Sequence, residues 1–235
     1  MRIGLFDSGV GGLTVLKALK EKYPLNDYIY YGDTLNVPYG NKTKDELLKL
    51  AKKDINFLIK KNVDMIIIAC GTISSNCINE LKKEYSIPIL SIIEPTIDYL
   101  NKSKYESIGI IATHATINSH IFKNNIKKQV YEIETPKLVP YIESNDLKNI
   151  KETLHTYLDG YIDKIDILVL GCTHYPIIKD YIKDIYNKEI LDMSSLININ
   201  NNGTGTIELY FSKINNDIKN NIKRILDIKK FNINN

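Results

Sequence analysis

Cysteine is scarce in this chain, the charge imbalance is small and no apolar run is long. Each scarcity removes a class of protein. Three cysteines among 235 residues, at positions 70, 77 and 172, cannot staple a disulfide scaffold and fit a reducing cytoplasm. Lys and Arg number 31 against 28 Asp and Glu and are spread along the chain, so no nucleic-acid footprint is expected. The apolar runs are strand-sized, far short of the roughly 20 residues that span a bilayer, so no membrane partner is expected. No G-K-[ST] phosphate loop occurs, and the N-terminus enters a strand-like Ile3–Phe6 without a targeting pattern.

What is present is a globular composition. Hydrophobic residues make up 43%, enough to fill the core of one large domain or two small ones. Eight short apolar runs read as strands: 3–6, 28–31, 63–69, 87–93, 108–112, 130–133, 165–170 and 189–191. Most are apolar throughout, as buried parallel strands are. Amphipathic helices lie between them. Thr43-Lys44-Asp45-Glu46 is a capping box ahead of Leu47, Leu48, Ala51, Ile55 and Leu58, and Pro176 is expected to open a helix carrying Ile177, Ile178, Tyr181, Ile182 and Ile185. The βα alternation implies an α/β protein with helices on both faces of parallel sheets.

A repeat organises the chain. DMIIIACGT at 64–72 has a near copy, DILVLGCTH, at 166–174, with Cys70 and Cys172 102 residues apart. Val37-Pro38-Tyr39 recurs as Val139-Pro140-Tyr141 at the same offset, and Ile3-Gly4 with Asp7-Ser8 is echoed by Ile108-Gly109 with Ala112-Thr113. Three echoes imply two similar Rossmann-like α/β halves with a pseudo-two-fold relation, 1–96 plus 203–235 and 97–202. Ligands of open α/β sheets bind beyond the carboxyl ends of the strands, so facing halves would place both cysteines at one cleft.

Cysteine is often a small buried hydrophobe, and Cys77 fits that role on a stripe with Ile73, Leu81 and Tyr85. Cys70 and Cys172 instead end strands where a helix begins, a place that can lower a thiol's pKa. A lone Cys172-x-His174 lacks the second ligand pair of a structural zinc site. The loop Asp7-Ser8-Gly9-Val10-Gly11-Gly12 misses the third glycine of a dinucleotide fingerprint, which falls at Thr14, and its amides suit a carboxylate better. Asp7 either caps the following helix or partners a cysteine. The two VPY segments are read as cleft loops because they are duplicated.

DSGVGGLTVL at 7–16, YGDTLNVPYG at 31–40, the AC-x-T segment at 69–72, THATINS at 113–119 and GCTHYP at 171–176 together resemble the glutamate racemases of the cofactor-independent aspartate/glutamate racemase superfamily. The resemblance implies an isomerase that interconverts L- and D-glutamate for peptidoglycan and cell-wall synthesis, with two cysteines and neither pyridoxal phosphate nor metal. It implies that Cys70 takes the α-proton from D-glutamate with help from Asp7. Cys172 takes it from L-glutamate with help from His174 and Glu143. Substrate contacts are expected from Asp7, Ser8, Tyr39, Gly40, Gly71, Thr72, Thr113, Thr116, Thr173 and His174.

Gly71 stands where the family usually has Asn, and the loss of that amide is expected to alter affinity or selectivity. The oligomeric state is open in the sequence, with a homodimer among the options. Three other readings stand beside glutamate racemisation: a racemase of aspartate or another amino acid, a non-catalytic relative that binds DNA gyrase, and a cysteine hydrolase using Cys172 with His174 alone.

Overall fold

The structure, a computed structural model, describes residues 1–227 and the backbone of residues 233–234. Among the described residues, ten strands form two wholly parallel sheets. The strands are β1 (Arg2–Asp7), β2 (Asp27–Gly32), β3 (Met65–Ile68), β4 (Ile89–Ser91), β5 (Ser107–Ala112), β6 (Gln129–Glu134), β7 (Ile167–Leu170), β8 (Glu189–Asp192), β9 (Ile207–Phe211) and β10 (Ile233–Asn234). The first sheet has the order β10-β9-β2-β1-β3-β4 and the second β6-β5-β7-β8. The second order is the β2-β1-β3-β4 core of the first, repeated, so the expected α/β class and the sequence repeat are both found.

The echoed aspartates have one structural job, done twice. Asp64 Oδ2 accepts from the Arg2 amide at 2.7 Å, and Asp166 Oδ2 accepts from the Ser107 amide at 2.9 Å. Each carboxylate thus holds the start of the strand beside its own, satisfying an amide that opens the ladder. At the far ends, the Ala69 amide donates to Phe6 O and the Gly171 amide to Ile111 O. The ladder therefore runs to the residue before each cysteine and releases the chain there.

Packing follows the apolar pattern. β3 and β7 are buried at every position, as strands covered on both faces must be. Apolar clusters cover the outer face of each sheet, and a third cluster joins Leu5 and Tyr30 of the first sheet to Ile108 and Val169 of the second. The helix Lys44–Ile59 starts at the expected capping box, with Thr43 accepting from the Glu46 amide and Glu46 accepting from the Thr43 amide. Such a cap contributes about 1 kcal/mol.

Several expectations are corrected. The run 87–93 yields only β4, because Ile92 and Ile93 already begin the helix Ile93–Lys102, whose Pro95 lies in the first turn where no amide partner is needed. Pro176 opens a 3₁₀ turn, Tyr175–Ile178, before the α-helix Lys179–Ile185. β9 was absent from the apolar runs because Glu208 interrupts it, yet it pairs with β2. Among the described residues no helix is long and apolar enough to cross a membrane.

Candidate active site

The carboxyl ends of the central strands converge on a cavity of about 320 Å³ lined by both Cys70 and Cys172. Ser8, Tyr39, Gly40, Gly71, Thr72, Thr113, Glu143, Thr173 and His174 line it as well. Asp7 and Thr116 are fully buried just behind that wall and reach it through partners. Thr116 Oγ1 bonds to Thr113 Oγ1 at 3.1 Å, which bonds to Thr72 Oγ1 at 3.0 Å across the two halves. Cys77 is fully buried in the outer cluster of the first sheet and does not line the cavity.

The loop after β1 meets the segment after β7. Asp7 Oδ2 accepts from the Gly9 amide at 3.0 Å, and Asp7 Oδ1 accepts from the Thr173 hydroxyl at 3.2 Å. Asp7 is not the cap of the helix Leu13–Lys22, whose N-cap is Gly12. Gly11 permits the approach: a Cβ there would lie 2.5 Å from Thr173 Oγ1 and 2.5 Å from His174 Nδ1. No side chain fits at that distance.

The two cysteines differ in surroundings. Burial, then the charge of Asp7, pushes the Cys70 thiol up to about 12. The helix Gly71–Asn76 that it caps is too weak to reverse this, contrary to the expected lowering. At Cys172, Sγ lies 3.7 Å from His174 Nδ1, and His174 Nε2 lies 3.0 Å from Glu143 Oε1. Burial disfavours a charged His174, but its contacts with Cys172 and Glu143 outweigh burial and push it up to about 10. Burial also opposes ionisation of Glu143, yet the His174 hydrogen bond, with the charges of His174 and Arg224, holds its carboxyl below the usual range. Near neutral pH, Cys70 is thus a thiol, while the group facing Cys172 is a positively charged imidazole.

The VPY echo is topological rather than conformational. Val37-Pro38-Tyr39 is a cleft loop with a cis Val37–Pro38 bond, but Val139-Pro140-Tyr141 lies in the helix Leu138–Glu143. That helix delivers Glu143 to His174. On the loop side, the Tyr39 hydroxyl donates to Asp33 Oδ2 at 2.7 Å and lies 3.5 Å from Asp54 Oδ2. Burial, then Asp33, pushes Asp54 up to about 8, so it keeps its proton near neutrality. Asp33, Asp54 and the cavity-lining Thr135 and His114 were not singled out from sequence. Asp54 occupies the apolar face of its helix, where periodicity reads only a break.

A model of the Asp/Glu/hydantoin racemase family matches residues 35–196 of the chain. The chain belongs to that family. A glutamate racemase of Aquifex aeolicus is 40% identical over 239 aligned positions, covering 96% of this chain and 94% of that protein. Two solved structures superpose over nearly the whole length. A Francisella tularensis glutamate racemase in complex with D-glutamate gives a TM-score of 0.87 at 31% identity, over 99% of this chain and 96% of that one. A glutamate racemase from Aquifex pyrophilus gives 0.86 at 36% identity, over 99% and 97%.

Within this racemase family member, Gly71 is more than a missing amide. A Cβ at position 71 would lie 2.7 Å from the Gly171 carbonyl oxygen, backbone of the opposite half. The two cysteine turns are packed glycine against backbone. Gly71→Asn must therefore push the halves apart, and overpacking of this kind costs about 1–3 kcal/mol. The variant is expected to unfold at lower urea and to bind substrate more weakly. An unchanged urea midpoint together with tighter substrate binding would contradict the close-packing account.

Proposed function

We propose that the protein interconverts L- and D-glutamate, using Cys70 and Cys172 as two acid/base groups on opposite faces of one substrate and no cofactor. The observation that carries this is the presence of both sulfurs at one cavity, each two residues past the end of an equivalent strand. The family membership and the glutamate racemases among its relatives support glutamate as the substrate.

The chemistry follows from the two environments. The Cys172 thiolate, beside the His174 imidazolium, takes the α-hydrogen of L-glutamate as a proton and leaves a planar carbanion. The Cys70 thiol, already protonated, gives its proton to the opposite face and becomes the thiolate. D-Glutamate leaves, and the reverse reaction starts from that thiolate. Asp7 lies within electrostatic reach of Cys70 and ties it through Thr173 to the other half. The hydroxyls of Ser8, Thr72, Thr113 and Thr173 and the backbone of Tyr39, Gly40 and Gly71 are assigned to the substrate's carboxylates and ammonium. D-Glutamate made in the cytoplasm would supply peptidoglycan, and the three free thiols suit that compartment.

The domain assignment belongs to the same proposal. Residues 1–96 with 203–235 carry the first sheet and 97–202 the second, which the sheet membership supports. The crossover falls inside the helix Ile93–Lys102, and the return runs along Asp27, whose carboxylate accepts from Thr204 and Thr206.

Chiral chromatography of L-glutamate, L-aspartate and other L-amino acids incubated with the purified protein tests the substrate. Glutamate is expected to approach a racemic mixture far faster than the rest. Preferred turnover of aspartate, or none of any amino acid, would overturn the reading.

A further inference from the structure

Arg224 projects from the helix Asn216–Leu226, which packs on the helix Leu13–Lys22 of the first sheet. Its guanidinium reaches the second half. Nη2 donates to the Ile142 carbonyl at 2.7 Å and to Asn221 Oδ1 at 2.7 Å, while Nη1 donates to Asn145 Oδ1. Asn221 in turn donates to the Glu143 carbonyl at 3.2 Å. Ile142 and Glu143 are the last two residues of the helix Leu138–Glu143, so a cation and an amide from another helix hold the carbonyls at its C-terminal end, that of Ile142 alongside the Asn145 amide.

Glu143, at that helix end, also heads the contact chain to Cys172. Glu143 Oε1 is 3.0 Å from His174 Nε2, and His174 Nδ1 is 3.7 Å from Cys172 Sγ. Among the described residues, Cys70 faces Asp7 and Ser8 instead. We infer that Arg224 is a positioning residue for the Cys172 side of the reaction: it fixes the end of the Glu143 helix so that the carboxylate stays in hydrogen-bond contact with His174 beside the sulfur. The C-terminal helix is thereby coupled to one of the two bases.

This rests on the two-base reading above, and the test separates the two. The enantiomers have equal free energy, so kcat/KM must fall equally in both directions, and direction cannot be the readout. A double-mutant cycle can. Arg224→Ala is expected to lower kcat for glutamate by roughly 2- to 30-fold, the span for residues that act on a site through a partner, with little change in KM. Arg224→Lys should restore part of that loss. In a Glu143→Gln background, Arg224→Ala should cost nothing further, because the group through which it acts is gone. If Arg224→Ala does not fold, Arg224→Gln, which keeps a donor for Ile142 but no charge, takes its place in the cycle. Losses that multiply in the double variant, an unchanged kcat, or a change in KM alone would overturn the role of Arg224. Absence of glutamate racemisation by the unaltered protein would instead overturn the functional reading itself.

Discussion

Cys70→Ser and Cys172→Ser are each expected to abolish net glutamate racemisation, while Cys77→Ser leaves it intact. Inversion needs a base on one face of the α-carbon and an acid on the other, and either substitution removes one of them. A serine hydroxyl is far too weak an acid to supply the base near neutral pH. The loss should be at least on the order of the 10²–10⁴-fold that a positioned acid or base contributes. Cys77 is the internal control, since it is buried in the outer core of the first sheet and away from the cavity. The two variants should differ in what remains. With Cys70 kept, residual α-hydrogen exchange should favour D-glutamate; with Cys172 kept, L-glutamate. Chiral turnover and exchange in heavy water measure both. Normal turnover by either cleft variant, or equal damage from a folded Cys77→Ser, would remove the basis for a two-thiol reaction.

His174→Gln should be the next most damaging change. It removes the cation from 3.7 Å of the Cys172 sulfur and leaves the Glu143 carboxylate without its partner. A fall in kcat on the order of 10²-fold or more is expected, at the lower end for a positioned acid/base group. The pH behaviour gives a second readout. His174 is raised from 6.5 to about 10, so its charge contributes stability that is full below pH 6.5 and is lost as pH rises through about 10. Activity of the unaltered protein should fall through the upper part of that window. In His174→Gln that limb should be missing, and the stability gap between the two proteins should close as pH rises. Turnover within a few-fold of normal for the variant would show that the imidazolium does not serve Cys172.

The sequence was most informative where one physical demand recurs. An aspartate that opens a buried strand, and a cysteine released at its end, can be read twice in one chain because both halves solve the same packing problem. Asp64 and Asp166 carry that pattern, and the structure gives each the same amide-holding contact. Glu143 was reachable only through the family resemblance, since nothing local predicts that Val139-Pro140-Tyr141 turns helical while Val37-Pro38-Tyr39 stays a loop. Asp33 and Asp54 were illegible for a different reason. Their meaning lies in a side-chain meeting with Tyr39 that joins a strand end to a helix face. Arg224 and Glu143 are 81 positions apart, and no periodicity marks a contact between chain segments so distant. The close packing at Gly71 was illegible in the sequence, because an absent side chain reads as a lost contact, whereas in space it is also what lets the two cysteine turns touch.

The most direct measurement is the origin of the α-hydrogen in the first product formed. L-Glutamate is incubated with the purified protein in heavy water, with a chelator and without added cofactor, and both enantiomers are analysed by mass at low conversion. Two thiols on opposite faces predict D-glutamate that carries one solvent deuterium at the α-carbon, while the remaining L-glutamate is almost unlabelled. D-Glutamate that retains the substrate's own hydrogen, or no D-glutamate at all, would contradict the account.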